Sequence, residues 1–193
     1  MSIPAPEPQV IDVDGVQALV VGGTVQSIAV TPGAKVGSYW QAMLPDQRPT
    51  RVLLLGLGAG TLAHLLTQRF GAVPMVGVEV CPEVVALARA HFDLDRLAHL
   101  RVVVADAFAF VTTCTDCFDQ IYVDLFVGKE LARGVVARPF LRQLRRLAAL
   151  RGTVTFNFFH DRRSGERLHR LRRVFSVVRP IEVGKNLVVW CRP

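Results

Sequence analysis

Apolar residues follow two rhythms along this chain. From residue 51 onward, short continuous apolar runs alternate with stretches of helical spacing. Residues 52–55 are wholly apolar and run directly into glycines, as expected of a strand buried on both faces. Residues 60–69 then carry Leu62, Leu65 and Leu66 on one helical face. Residues 75–78 read as a second buried strand. A helix follows from about 82 to 92, with Pro82 in its first turn, where a missing N–H costs nothing. A third strand is predicted at 101–104 and a fourth at 120–123. A helix over 138–149 contains Pro139 near its start, a fifth strand spans 152–158, and a basic helix covers 164–174. The chain closes on 176–183 and 187–191, two strands flanking Gly184-Lys185-Asn186. Such alternation predicts an α/β fold, a mostly parallel sheet with helices on both faces. The terminal hairpin adds an antiparallel strand at one edge.

Before residue 51 the rhythm is that of strands alone. Residues 10–13, 17–21 and 25–30 are separated by Asp14-Gly15 and Gly22-Gly23, which are tight-turn signals, so a three-stranded meander is expected. Pro32-Gly33 ends it. Residues 38–50 read as a connector, with Pro45 and Pro49 as breakers. The chain thus divides into a small N-terminal β unit, residues 1–46, and an α/β domain, residues 47–193.

Composition narrows the class. With 193 residues, of which 51% are hydrophobic, the chain can bury a full core as one domain. No apolar run approaches the roughly 20 residues that span a bilayer. The N-terminus carries Pro4, Pro6 and Pro8 rather than a leader pattern, so a soluble, cytoplasmic protein with no membrane partner is expected. The four cysteines, Cys81, Cys114, Cys117 and Cys191, are too scattered for a disulfide framework. Cys114 and Cys117 form one C-x-x-C without the further ligands that tetrahedral zinc needs, so they read as loop cysteines and no metal is expected. The net charge of +7 is uneven. Residues 1–130 hold 8 Lys and Arg against 13 Asp and Glu, whereas residues 131–193 hold 15 against 3. Solvated helix faces are the favoured explanation, ahead of a nucleic-acid surface.

Four features carry chemistry. Gly56-Leu57-Gly58-Ala59-Gly60 lies between a buried strand and a helix, where glycines permit a tight turn and close backbone approach to a ligand. Glu79 closes the second strand, 19 residues beyond Gly60, at the spacing at which a carboxylate accepts hydrogen bonds from ribose hydroxyls. Asp106-Ala107 follows the third strand, where an acid can accept from an adenine amino group. Asp124 ends the fourth strand in Tyr122-Val123-Asp124-Leu125-Phe126, placed to steer a cationic centre or to accept a proton. The glycine turn lacks the spacing of a dinucleotide fingerprint, and the chain has no phosphate loop of the G-x-x-x-x-G-K type.

Residues 51–160 resemble class I S-adenosylmethionine-dependent methyltransferases and, more closely, the spermidine synthase (polyamine aminopropyltransferase) family. The run Val52 to Gly60 is similar to that family's glycine motif. Val78-Glu79-Val80-Cys81-Pro82-Glu83-Val84 resembles its V-E-I-D-P-E-V segment, with Cys81 in place of aspartate. Val104-Ala105-Asp106-Ala107-Phe108 resembles its G-D-A/G segment, and Phe118-Asp119-Gln120-Ile121-Tyr122-Val123-Asp124 its F-D-V-I-x-x-D segment. The N-terminal strands resemble the family's own, with Gln26 where a cofactor-contacting glutamine stands. The resemblance implies a Rossmann-like class I methyltransferase sheet. It implies S-adenosylmethionine or its decarboxylated form as cofactor. The contacts implied are Gly56, Leu57, Gly58, Gly60, Glu79, Val80, Asp106, Ala107, Asp124 and Gln26, with Asp124 as catalytic base.

Two departures bear on the acceptor. The family's D-S-S-D-P loop is replaced by Asp124-Leu125-Phe126-Val127-Gly128, and its Y-H-E segment by Tyr39-Trp40-Gln41. Both changes remove a carboxylate that a polyamine's multiple charges require. The expectation is therefore a transferase that methylates a small-molecule acceptor, with aminopropyl transfer to a polyamine as the runner-up. A non-catalytic cofactor-binding relative and an RNA methyltransferase are further alternatives. The latter is motivated by Arg162, Arg163, Arg167, Arg170, Arg172 and Arg173, but lacks an N/D-P-P-Y/F motif at 124–127. Association of the related synthases implies a homodimer. His160-Asp161 reads as structural, Tyr39 and Trp40 as a cover or a seam, Phe126 as a wall and Trp190 as core.

Overall fold

In the computed structural model, which describes residues 7–31 and 36–193, the expected meander forms first. It comprises β1 (Gln9–Val13), β2 (Val16–Val21) and β3 (Thr24–Ile28), antiparallel in that order. Asp14 and Gly15 both have positive φ, 53° and 80°, which is the left-handed pair that a twisted two-residue hairpin requires. Pro4, Pro6 and the Pro32-Gly33 turn lie outside the described residues.

Residues 38–50, expected as a connector, instead begin with a short helix, α1 (Ser38–Met43). It is too short to show a helical period and has no side-chain cap, so only its packing reveals it. Met43 is fully buried and Trp40 nearly so.

The large sheet then builds up. Its first members are β4 (Val52–Leu55), α2 (Thr61–Phe70), β5 (Met75–Glu79), α3 (Pro82–His91) and β6 (Leu100–Val104). Next come α4 (Ala107–Thr113), β7 (Phe118–Val123), and a two-strand ribbon of β8 (Phe126–Val127) and β9 (Glu130–Leu131). The chain finishes with α5 (Arg138–Leu147), β10 (Ala148–Phe159), α6 (Ser164–Arg172), β11 (Val177–Val183) and β12 (Asn186–Arg192). Neither α4 nor the ribbon is visible in the sequence pattern. Ala107-Phe108-Ala109-Phe110-Val111 alternates like a strand and becomes a helix because Asp106 caps it.

The sheet order is β11-β12-β10-β7-β4-β5-β6. From β6 to β10 all pairs are parallel, and β12 joins β10 antiparallel. The terminal hairpin sits at one edge, as expected, and β12 is its antiparallel strand. It is inserted second from the edge, between β10 and β11.

Side chains alternate across the sheet and form two cores. Leu53, Leu55, Ile121, Val123, Phe156 and Phe158 pack with α4, α5 and α6. Val52, Leu54, Tyr122 and Val188 face the other way, with α1, α2 and α3, and Leu19 of the meander joins them. Trp190, expected as core, is only half-buried, and its indole N–H donates to the Ala42 carbonyl at 3.2 Å. Among the described residues, no helix is long and apolar enough to cross a membrane.

Candidate active site

All the parallel strands point their carboxyl ends the same way, so the acids closing β5 and following β6 and β7 converge on one edge. A cavity of about 370 Å³ opens there. Every expected site residue except Gly60 lines it: Gln26, Gly56, Leu57, Gly58, Glu79, Val80, Asp106, Ala107 and Asp124. Gly60 is set back, at φ 88° in the cap position of α2.

The glycine turn has a reason within the protein itself. Gly56 has φ 86°, and a Cβ there would collide with the backbone carbonyl of Asp124. Gly58 has φ 55°, and a Cβ there would press on the Ser27 hydroxyl. That hydroxyl accepts from Ala59 N–H at 2.9 Å, and Thr61 Oγ1 both donates to and accepts from the Ile28 backbone. The meander is thus stitched onto the turn. Gln26 reaches the far side of the cavity, its Nε2 donating to the Gly128 carbonyl at 3.1 Å.

Glu79 is held from below. One carboxylate oxygen accepts from Gly58 N–H at 2.9 Å, and the other from Val80 and Cys81 N–H at 2.9 and 3.1 Å. The oxygen that accepts only from Gly58 N–H keeps lone-pair capacity for a ligand. Asp106 caps α4 by accepting from Ala109 N–H at 2.8 Å, and it also lines the cavity.

Asp124 is not a helix cap. It lies at the floor of the cavity, and burial pushes its carboxyl up to about 6, against the pull of a hydrogen bond from Asn157. Asn157 Nδ2 donates to Asp124 Oδ1 at 2.9 Å, and Asn186 Nδ2 donates in turn to Asn157 Oδ1 at 2.9 Å. These asparagines sit on β10 and at the start of β12. Neither was expected from sequence; the only hint is a polar Asn157 between the fully buried Phe156 and Phe158.

The cavity's apolar lining includes Leu19, Val21, Trp40, Phe126 and Val127. Tyr39 lies behind Trp40, ring centroids 4.3 Å apart, and its phenol is pushed far up by burial and then by the Asp124 charge. Phe126 is braced edge-on by Phe159 at 5.1 Å. Among the described residues three carboxylates and no lysine or arginine line the cavity, which suits a cationic ligand.

The remaining expectations fall elsewhere. His160 contacts Glu182 at 3.7 Å, and Asp161 pairs with Arg167 at 2.8 Å, both outside the cavity. Arg170 pairs with Glu166. Two of the six candidate nucleic-acid arginines are therefore neutralised, Arg170 within α6 and Arg167 by an acid just before it. All four cysteines are free thiols.

Residues 52–152 match the family described as "Methyltransferase domain". The chain belongs to that family. It is a transferase dependent on S-adenosylmethionine or a decarboxylated relative, with a spermidine-synthase-like version of the class I methyltransferase fold. A polyamine aminopropyltransferase from Chromobacterium violaceum is 28% identical over 180 residues, which are 89% of this chain and 69% of that one. The structure of a probable spermidine synthase from Corynebacterium glutamicum superposes with a TM-score of 0.83 at 22% identity, covering 96% of this chain and 76% of that one. Human methyltransferase-like protein 13, in complex with SAH, superposes with a TM-score of 0.68 at 20% identity, covering 79% of this chain and 78% of that one. This transferase therefore shares its sheet with methyl- and aminopropyl-transferring relatives. The cavity's volume lies in the range of cofactor sites, and its strand-end acids are the donor-free acceptors that an adenosine requires.

Proposed function

We propose that this transferase moves a methyl group from S-adenosylmethionine to an amine or hydroxyl of a small, largely apolar acceptor. S-adenosylmethionine supplies a methyl carbon already activated by a positively charged sulfur. The observation that carries the reading is the acceptor end of the cavity. With Glu79 and Asp106 assigned to the adenosine, Asp124 is the one lining carboxylate left for an acceptor, in a cavity whose lining also includes Leu19, Val21, Trp40, Phe126 and Val127. An acceptor carrying several ammonium groups would leave most of them buried and unpaired there.

In this reading Glu79 holds the ribose hydroxyls and Asp106 the adenine, with Leu57, Val80 and Ala107 packing against the base. Gly56 and Gly58 bring the backbone close, and Gln26 closes the meander side. Asp124 attracts the sulfonium and takes the acceptor's proton, a task suited to a carboxyl raised to about 6. Asn157 and Asn186 hold its carboxylate in place. Most of the acceleration would come from aligning nucleophile, carbon and leaving sulfur.

A second reading, aminopropyl transfer from the decarboxylated cofactor, rests on a specific observation. Among the described residues no lysine or arginine lines the cavity to meet a carboxylate, and the Gly58, Ala59 and Gly60 amides already have protein acceptors. The polyamine aminopropyltransferase from Chromobacterium violaceum, similar over 89% of the chain, is also named for that reaction. Calorimetric titration with each cofactor form separates the two. Tighter binding of S-adenosylmethionine, with label transfer from its methyl group to apolar amines or alcohols, supports methylation. Tighter binding of the decarboxylated form, with transfer to putrescine, overturns it.

A further inference from the structure

At the opposite edge of the sheet, where β7 and β10 begin, lies a larger cavity of about 670 Å³. Five arginines from distant parts of the chain line it: Arg48, Arg69, Arg151, Arg179 and Arg192. None is within ion-pairing distance of a carboxylate among the described residues. Two acids share the lining, Asp46 and Asp119. Asp119 is already committed, accepting from Thr50 N–H, Thr50 hydroxyl and Arg51 N–H between 2.6 and 3.0 Å. Arg48 is fixed by donating to the Phe70 and Ala72 carbonyls, so its charge is immobilised at the rim.

The strand register concentrates the charge further. Arg179 sits opposite Trp190, and Val177 opposite Arg192. Arg179 and Arg192 are therefore diagonal neighbours on one face of the sheet, about 7–8 Å apart. Like charges at that spacing repel, and an anion between them relieves the repulsion while accepting their hydrogen bonds. Trp190 supplies a different surface. Its indole N–H is bonded to Ala42, so the ring is anchored in the lining and half-exposed.

We propose that this groove binds a phosphate-bearing ligand of nucleotide size, with its phosphates on Arg151, Arg179 and Arg192 and its aromatic base against Trp190. The volume suits one such molecule. The arginines converge on a single concavity and do not track along a surface as a nucleic-acid path would. The arginines of α6 do not extend it, because α6 packs its Leu171 into the core on the other face of the sheet. The groove shares a wall with the transferase cavity. Within α1, Trp40 lines the cavity while Gln41 and Ala42 line the groove.

The test uses the full chain carrying Trp40→Phe, which leaves Trp190 as the only indole. ATP, pyrophosphate and a short single-stranded RNA are titrated by tryptophan fluorescence and calorimetry. ATP is expected to quench Trp190 saturably and to bind more tightly than pyrophosphate. Its affinity should fall about tenfold in Arg179→Ala and about a hundredfold in the Arg179→Ala/Arg192→Ala pair, roughly one charge-assisted contact each. Both positions are exposed, and unchanged melting curves confirm intact variants. No saturation by ATP at low salt overturns the proposal. So does displacement of ATP by S-adenosylmethionine, an affinity indifferent to both arginines, pyrophosphate binding as tightly as ATP, or RNA binding far more tightly through the same residues.

Discussion

Replacing Asn157 with leucine isolates what a hydrogen bond does for a buried carboxylate. Asn157 is 3% exposed, and among the described residues its amide is the one side-chain donor to Asp124. Leucine fills a similar volume and donates nothing. A hydrogen bond to a charged group is worth about 1.5–3 kcal/mol, and about 1.4 kcal/mol corresponds to one pH unit in a titration midpoint. The bond favours the ionised form, so its loss adds to burial and moves the Asp124 midpoint upward from about 6, by at least about one unit. If Asp124 accepts the acceptor's proton, activity depends on its ionised fraction. The acid limb of kcat/KM against pH should then shift to higher pH by about one unit. At pH 6 the rate should drop about fivefold beyond any change in the plateau, and most of that drop should vanish by pH 9. Asn186→Ala, which frees the Asn157 amide from its own anchor, should shift the limb in the same direction by less. The assay is methyl or aminopropyl transfer from labelled cofactor across pH 5–9, with thermal melts to confirm folding. An acid limb that stays where it was in a folded Asn157→Leu protein would refute both the base role of Asp124 and the relay.

Three further outcomes follow from the same geometry. Burial holds the folded midpoint of Asp124 above the ordinary carboxylate value of 3.8, so the folded state binds its proton more tightly than the unfolded chain does. Stability should therefore fall as pH rises from about 4 to 6 and stay lowered above that. Asp124→Asn should abolish turnover yet raise the melting temperature at pH 8 by a few degrees, about 1–2 kcal/mol after allowing for cavity water, with no gain at pH 4. Glu79→Ala removes the proposed ribose acceptor and should weaken calorimetric cofactor affinity about a hundredfold, and an unchanged affinity would remove Glu79 from the site. Gly56→Ala combines a φ of 86° with a Cβ aimed at the Asp124 carbonyl, so it should lower the urea midpoint by the equivalent of about 3 kcal/mol or more.

In the proposed reaction, the buried carboxylate limits how many charges an acceptor can carry. An ionised Asp124 in an apolar cavity is stabilised by one amide and by whatever cation sits before it. A cationic cofactor or a single ammonium satisfies it. A multiply charged acceptor would need further partners, which the neutral residues at 39–41 and 125–128 do not supply.

What could be read along the chain was whatever depends on neighbours in sequence. The uniform apolar run Val52–Leu55 ending in glycines specified a doubly buried strand and a tight turn. Acids at or just beyond strand ends, Glu79, Asp106 and Asp124, had to fall on one edge once the strands were parallel. The hairpin turns at Asp14-Gly15 and Gly184-Lys185 carried their own local signal. Features set by lateral packing left no such trace. α1 is shorter than two helical turns and is held by burial of Trp40 and Met43, not by periodicity. β12 enters between β10 and β11 because its apolar positions match the Phe156 and Phe158 face, a pairing that no local spacing encodes. Asn157 reaches Asp124 from 33 positions away and Asn186 reaches Asn157 from 29, and five arginines spread from Arg48 to Arg192 meet in one groove. Strand register brings such groups together, and register is decided by which faces can be buried against each other, a property of the whole sheet.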